Sequence, residues 1–175
     1  MQAQSGSKPS ASGPGSRLAE LGIVLPAPPT PLGAYVESSD TGDLLFLSGT
    51  LPVVNGKLAI SGRLGENLSV KEGQEAAQIA SLNALAAAKG HLGDLDRLKK
   101  LVKLTVLMAT TEPFAEHASV ADGASNLFVQ LFGREAGHVR LVYGVQSLPI
   151  GTPVMVDTIF EIEPLRQSKA STESH

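Results

Sequence analysis

The amino-acid sequence predicts an α+β sandwich in which two helices cover one face of a mixed sheet. The chain has 175 residues, 42% of them hydrophobic and 18% charged, which suits one globular domain with a core of its own. Strand-like and helix-like segments follow one another in the order ββαβαββ, apart from edge pieces. The late strands are apolar on both faces, whereas two helices can cover only one face of a sheet.

Both ends of the chain are predicted to be disordered. Residues 1–16 consist mostly of Ser, Gly, Pro, Ala and Gln, and residues 166–175 form a short polar tail, so neither end can bury much apolar surface. Residues 17–165 are predicted to form the single folded domain. The N-terminal arm has no apolar stretch like that of a secretory signal, and no apolar run approaches the ~18 residues of a membrane span. We therefore expect a cytoplasmic protein without a membrane-spanning segment.

The first part of the domain reads as short elements separated by turns. Residues 17–22 predict one or two helical turns. Two strands are predicted at residues 35–38 and 44–48, because the intervening residues 40–43 (Asp-Thr-Gly-Asp) have the composition of a turn. Asn55-Gly56 marks another tight turn, since both residue types tolerate positive φ.

Capping residues and periodicity predict two helices. Ser69 and Glu72 have the spacing of a capping box, in which each side chain satisfies a free amide at the start of a helix. This helix is predicted to run to about Lys89 and to end at Gly90. A second helix is predicted over residues 114–132. The first helix has a face of small residues that allows close packing on a sheet: Ala76, Ala77, Ala80, Ala84, Ala87 and Ala88.

Three further strands are predicted at residues 98–109, 138–145 and 154–160. In the last strand, Val154, Val156 and Phe160 point to one face, and Met155 and Ile159 point to the other, beside Asp157. In the strand over 98–109, Leu101 and Leu107 are expected to oppose Val102, Leu104, Val106 and Met108. The face without helices needs cover, and a second copy of the chain is the simplest cover. We therefore predict a homo-oligomer, with a small-ligand site in a groove between subunits.

Arg140 stands out because its strand otherwise reads as buried. A guanidinium keeps its charge, so Arg140 must face water, pair with a carboxylate or bind an anionic ligand. Asp157 is the carboxylate at the centre of the following strand. The two residues predict either a site for a small carboxylate or a structural salt bridge across a hairpin, and the strands alone favour the salt bridge.

Composition and spacing disfavour several other chemistries. Cysteine is absent, which removes disulfides, thiolate metal sites and a cysteine nucleophile. No histidine stands at metal-ligand spacing with an acid, and neither a phosphate loop nor a G-x-S-x-G elbow occurs in the folded part. The net charge of −3 and the lack of tryptophan argue against nucleic-acid binding. One basic cluster is better explained as a solvated strand edge: Arg97, Lys99, Lys100 and Lys103.

Five short motifs occur in a fixed order along the chain. They are GAYV at 33–36, LSGTLP at 47–52, VADGAS at 120–125, the spacing from Arg140 to Leu148-Pro149, and VMVD at 154–157. With these motifs in this order, the chain resembles the RidA/YjgF family, also called L-PSP endoribonuclease, over about residues 18–164.

The resemblance implies a chorismate-mutase-like fold that assembles as a homotrimer with sites in clefts between subunits. Well-understood members are cofactor-free deaminases that hydrolyse reactive imines and enamines, such as 2-iminopropanoate, to 2-keto acids and ammonia. It implies that Arg140 holds the substrate carboxylate through two parallel hydrogen bonds, and that Asp157 positions or activates the attacking water. Tyr35 would line the pocket, Ser48 would contact the substrate, and Asp122, in the motif of the second helix, would be a further substrate-binding residue.

The chain departs from the family pattern at three of its site positions. Asp122 stands where the deaminases usually have Asn, which adds negative charge near an anionic substrate. Val142 replaces a small residue that is often Cys, and Asp157 is one methylene shorter than the usual Glu. The loop over residues 150–153 is one residue longer than in the best-known members of the family. These changes leave the anion anchor in place and alter the side of the site that handles water.

Three functional hypotheses follow. The first is a deaminase of reactive imines or enamines that needs no cofactor. The second is a non-catalytic module of the same fold, in which Arg140 binds a small carboxylate such as a 2-keto acid. The third, suggested by the older family name, is an RNA-acting inhibitor of translation, which the net charge of −3 disfavours.

Overall fold

The computed structural model describes residues 13–164, which form a five-stranded mixed sheet with helices on one face. The strands are β1 (Ser38–Thr41), β2 (Leu44–Leu47), β3 (Val53–Val54), β4 (Lys57–Leu58), β5 (Leu98–Ala109), β6 (Val139–Val145) and β7 (Val154–Ile162). The helices are α1 (Pro14–Glu20), α2 (Val70–Leu92) and α3 (His117–Phe132). The sheet order is β1-β2-β7-β5-β6, and β3 and β4 form a separate hairpin. Only β5 and β6 are parallel among the sheet neighbours.

Helices α2 and α3 pack on the same face of the sheet, as the sequence predicts. The residues of β7 alternate along the strand between buried and partly exposed. Val154, Val156 and Phe160 are fully buried beneath the helices, whereas Met155 and Ile159 lie on the face without helices. Helix α1 contacts α3 rather than the sheet. The predicted α+β sandwich is therefore confirmed.

Helix α2 begins as predicted and ends later than predicted. The Ser69 Oγ accepts a hydrogen bond from the Glu72 amide, and the Glu72 carboxylate accepts one from the Ser69 amide, so the capping box is present. The predicted end at Gly90 is wrong, because a helix interior tolerates glycine at a cost of about 1 kcal/mol. The helix ends instead at Gly93, which takes the positive φ of +77°. All the alanines of the predicted small-residue face are buried.

The first strand lies further along the chain than predicted. The structure has β1 at Ser38–Thr41 in place of residues 35–38, so the turn narrows to Gly42 and Asp43. Gly42 takes a φ of +59°, which allows this two-residue turn. The predicted turn at Asn55-Gly56 is confirmed, with both residues at positive φ between β3 and β4.

Two bulges change which side chains of β5 face the core. The register with β7 shifts between Leu98 and Lys100 and again between Leu101 and Lys103. Leu101 is therefore buried on the same side as Leu104, and the predicted opposition between them is wrong. The two-residue alternation of apolar and polar side chains in the sequence could not by itself locate these bulges, because each bulge inserts one extra residue into that alternation.

The helix boundaries near the domain edges also differ from prediction. Helix α3 begins at His117, because a turn at residues 112–113 and three residues without regular structure, 114–116, precede it. Helix α1 begins at Pro14, within the segment predicted to be a disordered arm. Proline suits the first position of a helix, and the Gly15 amide donates a 2.6 Å hydrogen bond to the Asp96 carboxylate. The remaining predictions of disorder, at residues 1–12 and 166–175, lie outside the described residues.

The face of the sheet without helices carries large apolar side chains. Phe46 on β2 and Leu141 and Tyr143 on β6 are each about two-fifths exposed or more (40%, 41% and 47%). Ile159 of β7 pairs with Phe46 across the strands. An apolar surface of this kind is typical of an interface between proteins. The homo-oligomer stays a prediction, and this face of the sheet is the surface through which it would form.

Gly123 allows the close crossing of α2 and α3, and we predict that Gly123→Ala destabilises the fold. The added Cβ would overlap the backbone carbonyl of Gln74, which cannot rotate away. We expect the free energy of unfolding to fall by about 1–3 kcal/mol, measured by urea denaturation. Gly90→Ala is the matched control, because Gly90 also lies within a helix but its Cβ would meet only Pro28, at 3.3 Å. Equal stability of the two variants would contradict the prediction.

Candidate functional site

Arg140 lies on the helix-covered side of β6 and is held by α3. Its register partner on β5 is Leu104, a buried residue, so Arg140 points to the same side of the sheet. Its Nη1 donates to the Asp122 Oδ1 at 2.7 Å and to the Ser125 Oγ at 3.1 Å. Asp122 and Ser125 are three residues apart on α3 and therefore share a face of that helix. Arg140 thus keeps about a quarter of its side chain exposed (26%) beside a half-exposed carboxylate (51%).

A histidine extends this cluster on its inner side. The Ser125 hydroxyl lies 3.0 Å from the His138 Nε2 and therefore stands between Arg140 and the imidazole. Burial lowers the pKa of His138 below its usual value, and the positive charge of Arg140 lowers it further. The neutral imidazole is therefore favoured here. The sequence interpretation did not include Ser125 or His138 among the site residues, although Ser125 ends the motif at 120–125 and His138 stands two residues before Arg140.

Asp157 lies on the opposite face of the sheet from Arg140. Its neighbour on β5 is Thr105, and Thr105 is in turn the neighbour of Leu141 on β6. Strand β5 therefore separates the two predicted catalytic residues, whose Cα atoms are about 10 Å apart at ordinary strand spacing. The alternative of a structural Arg140–Asp157 salt bridge across a hairpin is wrong, because β6 and β7 are not neighbours and Arg140 pairs with Asp122.

A row of polar side chains crosses the face without helices at the level of Asp157. The last pair of β2 and β7 is Phe46 with Ile159, and the next bridge, Thr50 with Val156, is displaced by one residue, so that Ser48 and Gly49 together lie across from Asp157. On the other side, the Thr105 side chain is only 6% exposed, and its hydroxyl has no hydrogen-bond partner among the described residues. Such an unsatisfied hydroxyl beside a carboxylate is typical of a surface that another group completes.

Glu37 belongs to this row and was missed by the sequence interpretation. The Ser48 amide donates to the Glu37 carbonyl at 2.9 Å, which continues the β1–β2 pairing by one residue. Ser38, the next residue, hydrogen-bonds His91 of α2 on the helix side, so alternation places Glu37 on the other face. Burial raises the pKa of Glu37. Only the observed register of β1 identifies this position.

Tyr35 precedes β1 and is about half exposed (45%). Its hydroxyl accepts a 3.0 Å hydrogen bond from the Leu32 amide. No hydrogen bond within residues 13–164 joins Tyr35 to the other candidates. The structure therefore forms two partial sites, one of Arg140 with Asp122 and the other of Ser48 with Asp157, and leaves Tyr35 outside both.

An open cleft of about 460 Å³ lies beyond Arg140 along β6, between the end of β5 and the start of α3. Its charged and ionisable lining residues are Arg63, Glu112 and His117.

Elsewhere, the predicted basic edge of β5 has an acidic partner, because Lys99 and Lys100 lie 3.8 and 3.3 Å from the carboxylate of Glu161. No group of three or more metal-binding side chains occurs in the described part of the chain. Within the same residues, no helix is both long and apolar enough to cross a membrane.

Comparison with known proteins gives consistent matches over nearly all of the described residues. The profile of the YjgF/chorismate mutase-like, putative endoribonuclease family matches residues 15–162. Protein TCP17 of Trypanosoma cruzi is 41% identical over 84% of this chain and 92% of its own length. A RutC family protein, y4sK of Sinorhizobium fredii, is 31% identical over 77% of this chain and 91% of its own length. The crystal structure of a putative endoribonuclease from Shewanella oneidensis superposes with a TM-score of 0.82, at 34% identity, over 86% of this chain and 100% of that one.

We predict that His138 makes the stability of the protein fall in mild acid. Its pKa in the folded protein is lower than its value of 6.5 in the unfolded chain, so the unfolded chain takes up a proton first as the pH falls. At pH values well above 6.5, His138 is unprotonated in both the folded and the unfolded protein, so it adds no pH dependence to the free energy of unfolding. The urea midpoint should therefore fall more between pH 7.5 and 5.5 in the wild type than in His138→Gln. Parallel curves would contradict the assignment, since every other titrating group is common to both proteins.

Proposed function

Because the chain belongs to the YjgF/chorismate mutase-like family, we propose that it is a cofactor-free deaminase that hydrolyses reactive 2-imino acids or their enamines. The products would be 2-keto acids and ammonia. The active sites would lie in clefts between the subunits of a homotrimer.

The observation that carries this proposal is the separation of the two partial sites. Arg140 and Asp157 lie on opposite faces of one sheet, on strands that β5 separates. A single chain therefore cannot present both to one small substrate. If the β6 edge of one subunit packed against the face without helices of the next, Arg140 of the first subunit would approach Asp157 of the second. The apolar residues of that face, including Phe46 and Leu141, would supply the contact.

Arg140 supplies the anchor for the substrate carboxylate. Asp122 and Ser125 both accept from the same nitrogen, Nη1, so Nη2 and Nε remain to form two parallel hydrogen bonds with a carboxylate. Asp122 weakens this anchor, because its charge lies 2.7 Å from the guanidinium that the substrate must approach. We therefore propose that the site prefers a small substrate with one carboxylate.

The polar row supplies the chemistry at the imine carbon. Asp157 accepts a proton from water as the water oxygen attacks the carbon of the C=N bond. The imine nitrogen takes up a proton, which gives the carbinolamine. The nitrogen then gains a second proton as the carbinolamine hydroxyl loses its own, and the C–N bond breaks to release ammonia and the keto acid. Glu37, whose pKa burial raises, is suited to donate that proton. Ser48 lies between the two carboxylates and orients the substrate or the water.

The first test measures the release of keto acid and ammonia from imines that an amino-acid oxidase generates in the assay. We expect acceleration above spontaneous hydrolysis, a loss of at least tenfold in Arg140→Lys and a complete loss in Arg140→Ala, because lysine cannot form the paired hydrogen bonds. Asp122→Asn should lower KM, because it removes the competing charge.

Saturable binding of pyruvate at Arg140 without turnover would favour the non-catalytic module. Cleavage of RNA that survives Arg140→Ala would favour the endoribonuclease role that the name of the Shewanella relative carries.

The second test concerns the proton donor. In the wild type, kcat should fall as the pH rises through the raised pKa of Glu37, because the acid form donates the proton. Glu37→Gln should lower kcat about 10–100-fold and remove this limb of the pH profile. Ser39→Ala is the control, because Ser39 is exposed on the same strand. An unchanged pH profile in Glu37→Gln would exclude Glu37 as the donor.

A further inference from the structure

The open cleft at the start of α3 has a geometry of its own, separate from the Arg140 cluster. The cleft begins at Gly144, which is four residues beyond Arg140 on the same side of β6, a distance of about 13 Å. Its volume of about 460 Å³ suits a small molecule. Both Arg140 and Gly144 contact α3, through Asp122 and His117 respectively.

Arg63 is the guanidinium of this cleft, and its orientation is set by the backbone. Its Nε donates a 2.8 Å hydrogen bond to the carbonyl of Thr110 at the end of β5. The next residue, Leu64, is hydrogen-bonded to the end of β5 and to the residues that follow it. Its amide donates to the Ala109 carbonyl, and its carbonyl accepts from the Thr111 amide. The two terminal nitrogens of Arg63 have no partner among the described residues. Unlike Arg140, Arg63 has no carboxylate within ion-pair distance in that part of the chain.

Glu112 brings the opposite charge to the same cleft. It is exposed, and no ion pair joins it to Arg63 or to another cation within residues 13–164. An unpaired cation and an unpaired anion that line one cleft are complementary to a ligand that carries both charges. A simple anion such as phosphate would meet repulsion from Glu112, whereas a zwitterion would not.

The remaining walls add a polar group and an apolar one. The imidazole of His117 stands at 72° to the Phe114 ring, with centroids 5.2 Å apart, so the two rings form one side of the cleft. Gly144 allows this arrangement, because a Cβ there would lie 2.5 Å from the His117 Nε2 and 2.7 Å from the Thr110 Oγ1. His117 has no hydrogen-bond partner among the described residues.

We propose that this cleft binds a small α-amino acid, with its carboxylate on Arg63, its ammonium group on Glu112 and its side chain against Phe114. The site is distinct from the Arg140 cluster and does not depend on the proposed deaminase activity. Amino acids are the compounds from which oxidation or dehydration reactions form 2-imino acids, so this ligand would report the supply of the proposed substrate.

The test follows the His117 ring resonance of the full chain by NMR during titration with L-alanine, propionate and ethylamine. We expect a saturable shift with L-alanine and binding at least tenfold weaker with propionate or ethylamine, each of which lacks one of the two charges. Arg63→Gln and Glu112→Gln should each weaken L-alanine binding at least tenfold, and Arg140→Gln should leave it unchanged. Glu112→Gln changes an exposed side chain, so it keeps the test decisive if Arg63→Gln does not fold.

Three outcomes would overturn the proposal. Equal affinity for propionate and L-alanine would show a simple anion site. Loss of binding in Arg140→Gln with retention in Arg63→Gln would place the amino acid at the Arg140 cluster. The absence of any saturable shift would show that the cleft does not bind amino acids. Because binding is measured without turnover, these outcomes are independent of whether the protein is a deaminase.

Discussion

The position of β5 between β6 and β7 determines how Arg140 and Asp157, the two candidate catalytic residues, lie relative to each other. Its parallel pairing with β6 places Arg140 against α3, and its antiparallel pairing with β7 places Asp157 on the other face. The central strand of such a sheet cannot move without breaking both sets of hydrogen bonds. The distance between the two partial sites is therefore a fixed property of one chain, and the proposed function requires a contact between chains to bring them together.

Small residues determine how closely α2 packs on the sheet and how closely α3 crosses α2. The alanine face of α2 lies directly on the sheet, and Gly123 lets α3 cross α2 at backbone contact. This crossing determines the height at which Asp122 and Ser125 stand beside Arg140. A helix held less closely would leave the guanidinium without partners, since its hydrogen bonds of 2.7 and 3.1 Å depend on that height. Packing in the core and charge at the site are therefore coupled.

The two arginines that line the α3 side of the protein differ in how their charge is balanced. Arg140 already has a carboxylate partner, so a ligand must share it or displace part of that contact. The side chain of Arg63 contacts a neutral carbonyl through Nε, and the same cleft is lined by Glu112, which has no ion-pair partner among the described residues. This difference is the basis on which we propose a singly charged carboxylate for the first position and a zwitterion for the second.

The sequence by itself determined the class of fold, the two helices, the capping box at Ser69 and the face of the sheet that lacks cover. These features follow from local capping chemistry and from periodicity, which each segment carries in its own residues. The bulges of β5, the shift of β1 and the ending of α2 at Gly93 required the tertiary structure, because pairing with distant strands decides them. The same reason applies to the candidate site: motifs named Arg140, Asp157, Ser48 and Asp122 as candidates, but only the strand order showed that β5 separates Arg140 from Asp157. Glu37 and the Arg63 cleft have no local sequence pattern, since the register of β1 and the meeting of β5 with α3 create them.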